Sequence, residues 1–156
     1  MQPIKATLGP HLFTISEDAD LGSAVLLLQK SQGLPLVALN LKKEITGLLT
    51  ARNLGETVNT TKADKTIQDI MSRACLVVPK NSLLKDLCQK MLDESIAGFF
   101  ISDQGQIDAA IGSEDLLKII HRILVNSKSS SSLDNIFFQA TVEHYLENRS
   151  SFDTEN

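Results

Sequence analysis

Leu34-Pro35-Leu36-Val37-Ala38-Leu39-Asn40 is followed, after Leu41-Lys42-Lys43-Glu44, by Ile45-Thr46-Gly47-Leu48-Leu49-Thr50-Ala51-Arg52-Asn53-Leu54. The same pattern returns as Ala97-Gly98-Phe99-Phe100-Ile101-Ser102-Asp103 and then Ile107-Asp108-Ala109-Ala110-Ile111-Gly112-Ser113-Glu114-Asp115-Leu116. The offset is 63 residues in the first block (Leu34 to Ala97) and 62 in the second (Ile45 to Ile107). One extra residue between the blocks, Leu41 to Glu44 against Gln104-Gly105-Gln106, accounts for the difference. A turn tolerates such an insertion, whereas inside a strand it would flip every following side chain to the other face.

Working outward, the 63-residue offset also holds upstream. Leu21, Ala24, Val25 and Leu28 match Leu84, Leu87, Cys88 and Met91, each set at the i, i+3, i+4, i+7 spacing of an amphipathic helix. Phe13-Thr14-Ile15-Ser16 matches Leu76-Val77-Val78-Pro79, and Ile4 matches Ile67. Repeats of this kind set the architecture before any single motif does. Each copy reads as strand, helix, strand, strand, helix. Strands are expected at Phe13–Ile15 and Cys75–Val78, then helices at Leu21–Ser31 and Leu83–Glu94, with Asp20 and Ser82 as N-caps. Hairpins of Leu36–Leu39 with Ile45–Leu49 and of Phe99–Ser102 with Ile107–Ile111 follow, the second through the turn residues Asp103-Gln104-Gly105. Helices at Ala51–Val58 and Ser113–Val125 close the copies. A three-stranded sheet with helices on one side leaves its other face uncovered. Two copies would cover each other.

The expected fold class is α+β (α/β-type): two tandem βαββα units packed as a pseudo-two-fold pair, plus a C-terminal helix. The expected divisions are 1–62, 63–125, a Ser-rich linker 126–132, and a helical tail 133–156. In the tail, Leu133, Ile136, Phe137 and Ala140 keep helical spacing, and Phe137, Phe138, Tyr145 and Phe152 are four of the chain's seven aromatics. Such a concentration needs a surface to bury against. Docking on its own domain, exchange across a dimer, and binding a separate partner all remain open.

These units resemble the CBS-domain pair, or Bateman module. Thr66-Ile67-Gln68-Asp69-Ile70-Met71-Ser72 resembles that family's V-x-D-I-M-T lead-in, and Val78-Pro79-Lys80-Asn81-Ser82-Leu83 its V-x-P-x-x-x-L step from strand to helix. Leu34-Pro35-Leu36-Val37 is similar to its L-P-V-V strand. Ile45 through Leu54 is similar to its G-h-h-T-x-x-D-h motif, h being apolar. The resemblance spans about 120 residues and implies a regulatory protein, usually dimeric, with an adenine nucleotide or related ligand in clefts between the repeats. It implies AMP, ADP, ATP or another adenosine ligand here, a homodimer, and a signal passed to a partner.

Ligand contacts carried over by the resemblance are Pro35, Leu36, Thr50, Arg52 and Asn53 from the first copy. From the second they are Ser72, Cys75, Gly98, Phe99, Gly112, Ser113 and Asp115. The family's hydroxyl and carboxylate usually hold ribose and phosphate. In the first copy Thr50 keeps the hydroxyl, but Asn53 stands in place of the Asp and lacks the charge-assisted acceptor. In the second, Asp115 keeps the carboxylate, but Gly112 replaces the hydroxyl residue, Ser113 comes one position late, and Ala109 replaces the usual Gly. Thr50 and Asp115 also suit a helix start without any ligand. The alternative reading is therefore a ligand-free dimerisation or protein-interaction module with degenerate sites.

Other function classes find little support. The net charge of -4 and a pI of about 5.3 show no basic footprint for nucleic acid. Apolar stretches fall short of the ~20 residues that span a bilayer, and the start lacks a signal-peptide core. A cytoplasmic, stand-alone protein with no membrane partner is the expectation. Two cysteines, Cys75 and Cys88, make no disulfide or metal framework and read as reduced, buried thiols. His11, His121 and His144 are scattered, and no H-E-x-x-H, P-loop or G-x-S-x-G motif occurs. No catalytic or metal-binding residue is assigned, and an enzyme is not expected.

Overall fold

In the computed structural model, the strands that read as unbroken apolar runs lie between two layers. The structure describes residues 1–58 and 64–126. In chain order the elements are β1 (Thr7–Leu8), β2 (Phe13–Ser16), α1 (Leu21–Lys30), β3 (Leu36–Leu39), β4 (Ile45–Leu49) and α2 (Ala51–Val58). Then come α3 (Ile67–Ile70), β5 (Cys75–Pro79), α4 (Leu84–Glu94), β6 (Gly98–Asp103), β7 (Gln106–Gly112) and α5 (Ser113–Asn126). One sheet has the order β2-β3-β4 and the other β1-β7-β6-β5. In each, the unit's first strand runs parallel to its second, and the second pairs antiparallel with its third. The expected α+β tandem of βαββα units is what the chain forms. The expected Ser-rich linker beyond residue 126 and the C-terminal helix of the tail lie outside the described residues.

Alternation along the central strands explains the layering. Leu36 and Ala38 of β3 join Ala24, Leu28 and Leu49 in a core beneath α1, whereas Val37 and Leu39 point the other way. In β6, Phe99 and Ile101 face α4 and α5, and Phe100 faces the opposite sheet. Both faces are buried, so neither strand shows the polar alternation of a sheet open to water on one side. Val37, Ile45, Leu48, Cys75, Phe100 and Ile107 form the shared core between the sheets. The mutual covering anticipated for two incomplete units is met there.

The lead-in segments are exchanged between the units. β1 extends the second sheet by pairing with β7, while Ile4 just before it trades two 2.8 Å backbone bonds with Ile45 of β4. The lead-in to the second unit crosses the other way. Ser72 exchanges backbone bonds of 2.8 and 2.9 Å with Leu48, and Ile67 and Met71 bury in the first unit's helix-facing core. Sequence order assigns residues 66–72 to the second copy, but their packing belongs to the first.

Local chemistry accounts for the element ends. The two-residue turn Gln104-Gly105 takes φ of 49° and 81°, the left-handed pair that suits a tight hairpin. In the longer first hairpin, Asn40 Oδ1 accepts from the N–H groups of Lys42 and Glu44. Asp20 caps α1 as expected, accepting from Ser23 N–H at 2.7 Å. Ser82 does not cap α4: its hydroxyl donates to the Pro79 carbonyl at 2.7 Å, and the N-cap position is Leu83. The 63-residue offset itself maps Asp20 onto Leu83, so Ser82 stands one residue too early to reach the helix N–H groups.

Hydrogen bonds from Ser23 to Asp20, and from Thr66 to Asp69, hold both carboxyls below the ordinary value of 3.8. A lowered folded-state pKa means stabilisation present above the unfolded value and lost as pH falls through the folded one. The expected result is a decline in stability below pH 3.8 that is shallower in the Asp20→Asn, Asp69→Asn double variant. Acid titration followed by circular dichroism checks it, and identical acid profiles would refute it.

Candidate functional site

Where β4 runs into α2, and β7 into α5, two helix starts meet across the boundary between the units. They flank a cleft of about 270 Å³. The first unit supplies Gly33, Pro35, Thr50, Ala51, Arg52, Asn53 and Glu56. The rest of the lining comes from the lead-in residue Ser72 and from Ala97, Gly112, Ser113, Glu114, Asp115 and Lys118. A methyl group placed on Gly112 would stand 3.4 Å from Thr50 Cγ2, 3.4 Å from Asp115 Oδ2 and 3.7 Å from Pro35 Cγ. Gly112 thus lies where the two units touch.

Each helix start is organised by the residue three places on. Asn53 Oδ1 accepts from both the N–H of Thr50 (2.9 Å) and its hydroxyl (3.0 Å), while Asn53 N–H donates to Thr50 Oγ1 at 3.4 Å. This is a reciprocal cap, with side chain and backbone satisfying each other at both positions. The Asn53 amide then donates to Ser72 Oγ at 3.2 Å, tying the helix start to the exchanged lead-in. A carboxylate at this position has no donor for that bond. In the second unit Asp115 Oδ2 accepts from Gly112 N–H at 3.1 Å, and the residue is buried. The glycine has no hydroxyl with which to reciprocate.

Eight of the residues carried over by resemblance line this cleft: Pro35, Thr50, Arg52, Asn53, Ser72, Gly112, Ser113 and Asp115. Leu36, Cys75, Gly98 and Phe99 do not. Leu36 and Phe99 turn into the two helix-facing cores, and Cys75 into the core between sheets. Gly98 lies within β6, and the space a side chain would take there is filled by Leu48. Glu56 and Lys118 were not anticipated. Each lies three residues beyond its helix's capping side chain, Asn53 or Asp115, and that spacing was a legible signal.

The copies carry opposite charges at equivalent lining positions: Arg52 corresponds to Glu114, and Glu56 to Lys118, at the 62-residue offset. Arg52 Nε donates to Glu56 Oε1 at 3.2 Å, an exposed i, i+4 pair. Cys75 lies outside the cleft, and burial pushes its thiol up to about 12; burial also raises that of Cys88. Alkylation of native Cys75 at pH 8 is therefore expected to be slower than that of a free thiol by roughly a hundredfold or more. Labelling followed by mass spectrometry, with and without denaturant, checks this, and rapid native labelling of Cys75 would refute it.

Residues 67–122 match the sequence model of the CBS domain. No curated protein matches the sequence. The fold is similar to that of a CBS-domain containing protein from Agrobacterium tumefaciens, with a TM-score of 0.56, 18% identity, and coverage of 69% of this chain and 82% of that one. It is also similar to a putative signal-transduction protein with CBS domains from Burkholderia ambifaria, with a TM-score of 0.58, 15% identity, and coverage of 78% and 88%. A third similar structure is CBSX2 in complex with AMP, with a TM-score of 0.50, 16% identity, and coverage of 76% and 94%. Residues 67–122 thus match the CBS domain, and the fold of the described residues is similar to that of CBS-domain proteins. Among the described residues no helix is long and apolar enough to cross a membrane.

Proposed function

We propose that this protein is a regulatory CBS pair that binds an adenosine-bearing ligand in the cleft between its units and relays occupancy to a protein partner. The observation that carries the reading is the cleft itself, where Thr50, Asn53 and Ser72 face Gly112 and Asp115. The opening N–H groups of a helix have no intrahelical partner and favour an anion. Here two helices, α2 and α5, begin at one cleft. The AMP complex of the similarly folded CBSX2 supports adenosine as the ligand class. A ligand touching both units favours the arrangement of units that fits it, and that preference is all a relay requires. Function as a homodimer in the cytoplasm belongs to the same proposal.

Thermal-shift titration with adenosine, AMP, ADP and ATP tests the reading. At a hundredfold excess over Kd the stabilisation is about 2.7 kcal/mol, a rise in Tm of roughly 5–10 °C for a chain of this size. Asp115→Asn keeps an oxygen for the Gly112 cap and removes the charge, so affinity is expected to fall about tenfold. No shift with any of the four at millimolar concentration would overturn the proposal. One observation favours a second reading, a ligand-free dimerisation module: Asn53 and Asp115 each already spend an oxygen on their own helix start. That reading expects a dimeric mass in solution and a Tm indifferent to nucleotide.

A further inference from the structure

We infer that the cleft selects a ligand with a single anionic group, of the nucleoside monophosphate class, over a polyphosphate. The inference rests on the nucleotide-binding reading and concerns the charges around that site. Among the described residues the lining holds three carboxylates, Glu56, Glu114 and Asp115, against two cations, Arg52 and Lys118. Arg52 already gives its Nε to Glu56. Its guanidinium keeps further N–H donors, enough for one phosphate in the plane of the fork.

The backbone donors are also few. Asn53 N–H is met by Thr50 Oγ1, Thr50 N–H by Asn53, Gly112 N–H by Asp115, and Ser113 N–H by the Ala97 carbonyl at 3.0 Å. The opening N–H groups of Ala51 and Arg52 in α2 and of Glu114 in α5 remain to face an anion at the cleft. One anionic group suits that set. A chain of phosphates extending past it runs along walls that bear Glu56 on one helix and Glu114 on the other. Each added negative charge is repelled by those carboxylates, and among the described residues of the lining Lys118 is the one cation besides Arg52, against three carboxylates.

The test is calorimetric titration of the full chain with adenosine, AMP, ADP and ATP in metal-free buffer, repeated with the Glu56→Gln, Glu114→Gln double variant. AMP is expected to bind at least about tenfold more tightly than ATP, with ADP between, and the gap to narrow several-fold in the double variant and at high salt. The Arg52–Glu56 pair is exposed and contributes little to stability, so the variant folds. ATP binding as tightly as AMP overturns this inference and leaves the nucleotide-binding reading standing. A gap unchanged in the variant overturns the assignment to Glu56 and Glu114. Failure of all four ligands to bind overturns both.

Discussion

Phe100→Ala is expected to lower the unfolding free energy by about 3–5 kcal/mol. The ring is fully buried at the centre of the core between the sheets, among Val37, Leu48 and Ile107. Removing it leaves a cavity that strands held by pairing on both sides cannot collapse to fill. Domains of this kind have roughly 5–15 kcal/mol in all, so the loss is a large share of the whole. That cluster joins the two units, so their unfolding transitions should also separate. Urea denaturation read by circular dichroism and by Cys75 labelling would show it. Leu92→Ala, on the exposed face of α4, is the control and is expected to stay within about 0.5 kcal/mol. A Phe100→Ala loss no larger than the control's would mean the sheets do not share a core.

Gly98→Val is expected to destabilise by about 1–3 kcal/mol or more, and to disturb the cleft as well. A Cβ at this position would lie 2.5 Å from Leu48 Cδ2 and 2.8 Å from the Ile111 carbonyl oxygen. The leucine tip can rotate away. The carbonyl belongs to β7, paired to β6 through Gly98 and Gly112, and it moves only with the strand. Ala97 and Gly112, which flank this contact, line the cleft. Adding Leu48→Ala should relieve the first clash and leave the second, giving partial rescue in a double-mutant cycle. Full rescue would show that the leucine contact alone excludes a side chain here.

The small residues at the crossing strands show how far the repeat could be read. Gly47 aligns with Ala109, so the second copy has no glycine at the matching strand position. In the fold, a Cβ at Gly47 would meet Met71 Sδ at 2.7 Å and the Ser72 carbonyl at 2.9 Å, because the exchanged lead-in passes over it. The residue equivalent to Ser72 is Gly9, and a Cβ there would lie 2.9 Å from the Ile107 carbonyl. A lead-in thus comes close to a third strand in both copies, over Gly47 in one and beside Ile107 and Asp108 in the other, and Ala109 is not at the Gly9 contact. Aligning the copies reveals the substitution, but the point at which each lead-in meets its strand is visible only in space.

The candidate site divides in the same way. Thr50, Asn53, Gly112 and Asp115 were legible as a motif, and the structure brings them to one cleft. Glu56 and Lys118 join them through helical periodicity, while Leu36, Phe99 and Cys75 leave the list because strand alternation turns each into a core. Which core receives which face depends on the opposite sheet, and that is not a local property.

The sequence by itself determined the two copies, their common register, and the order of strands and helices. These follow from apolar spacing within a few residues and from an insertion that only a turn could absorb. Only the tertiary structure decided that the lead-ins cross between units, that Gly98 serves packing between sheets, and that charges of opposite sign face one cleft. Those outcomes rest on contacts between residues far apart in sequence, such as Leu48 with Gly98 or Thr50 with Gly112, 50 and 62 positions apart. Periodicity says which face of an element is apolar; it does not say which other element that face will meet.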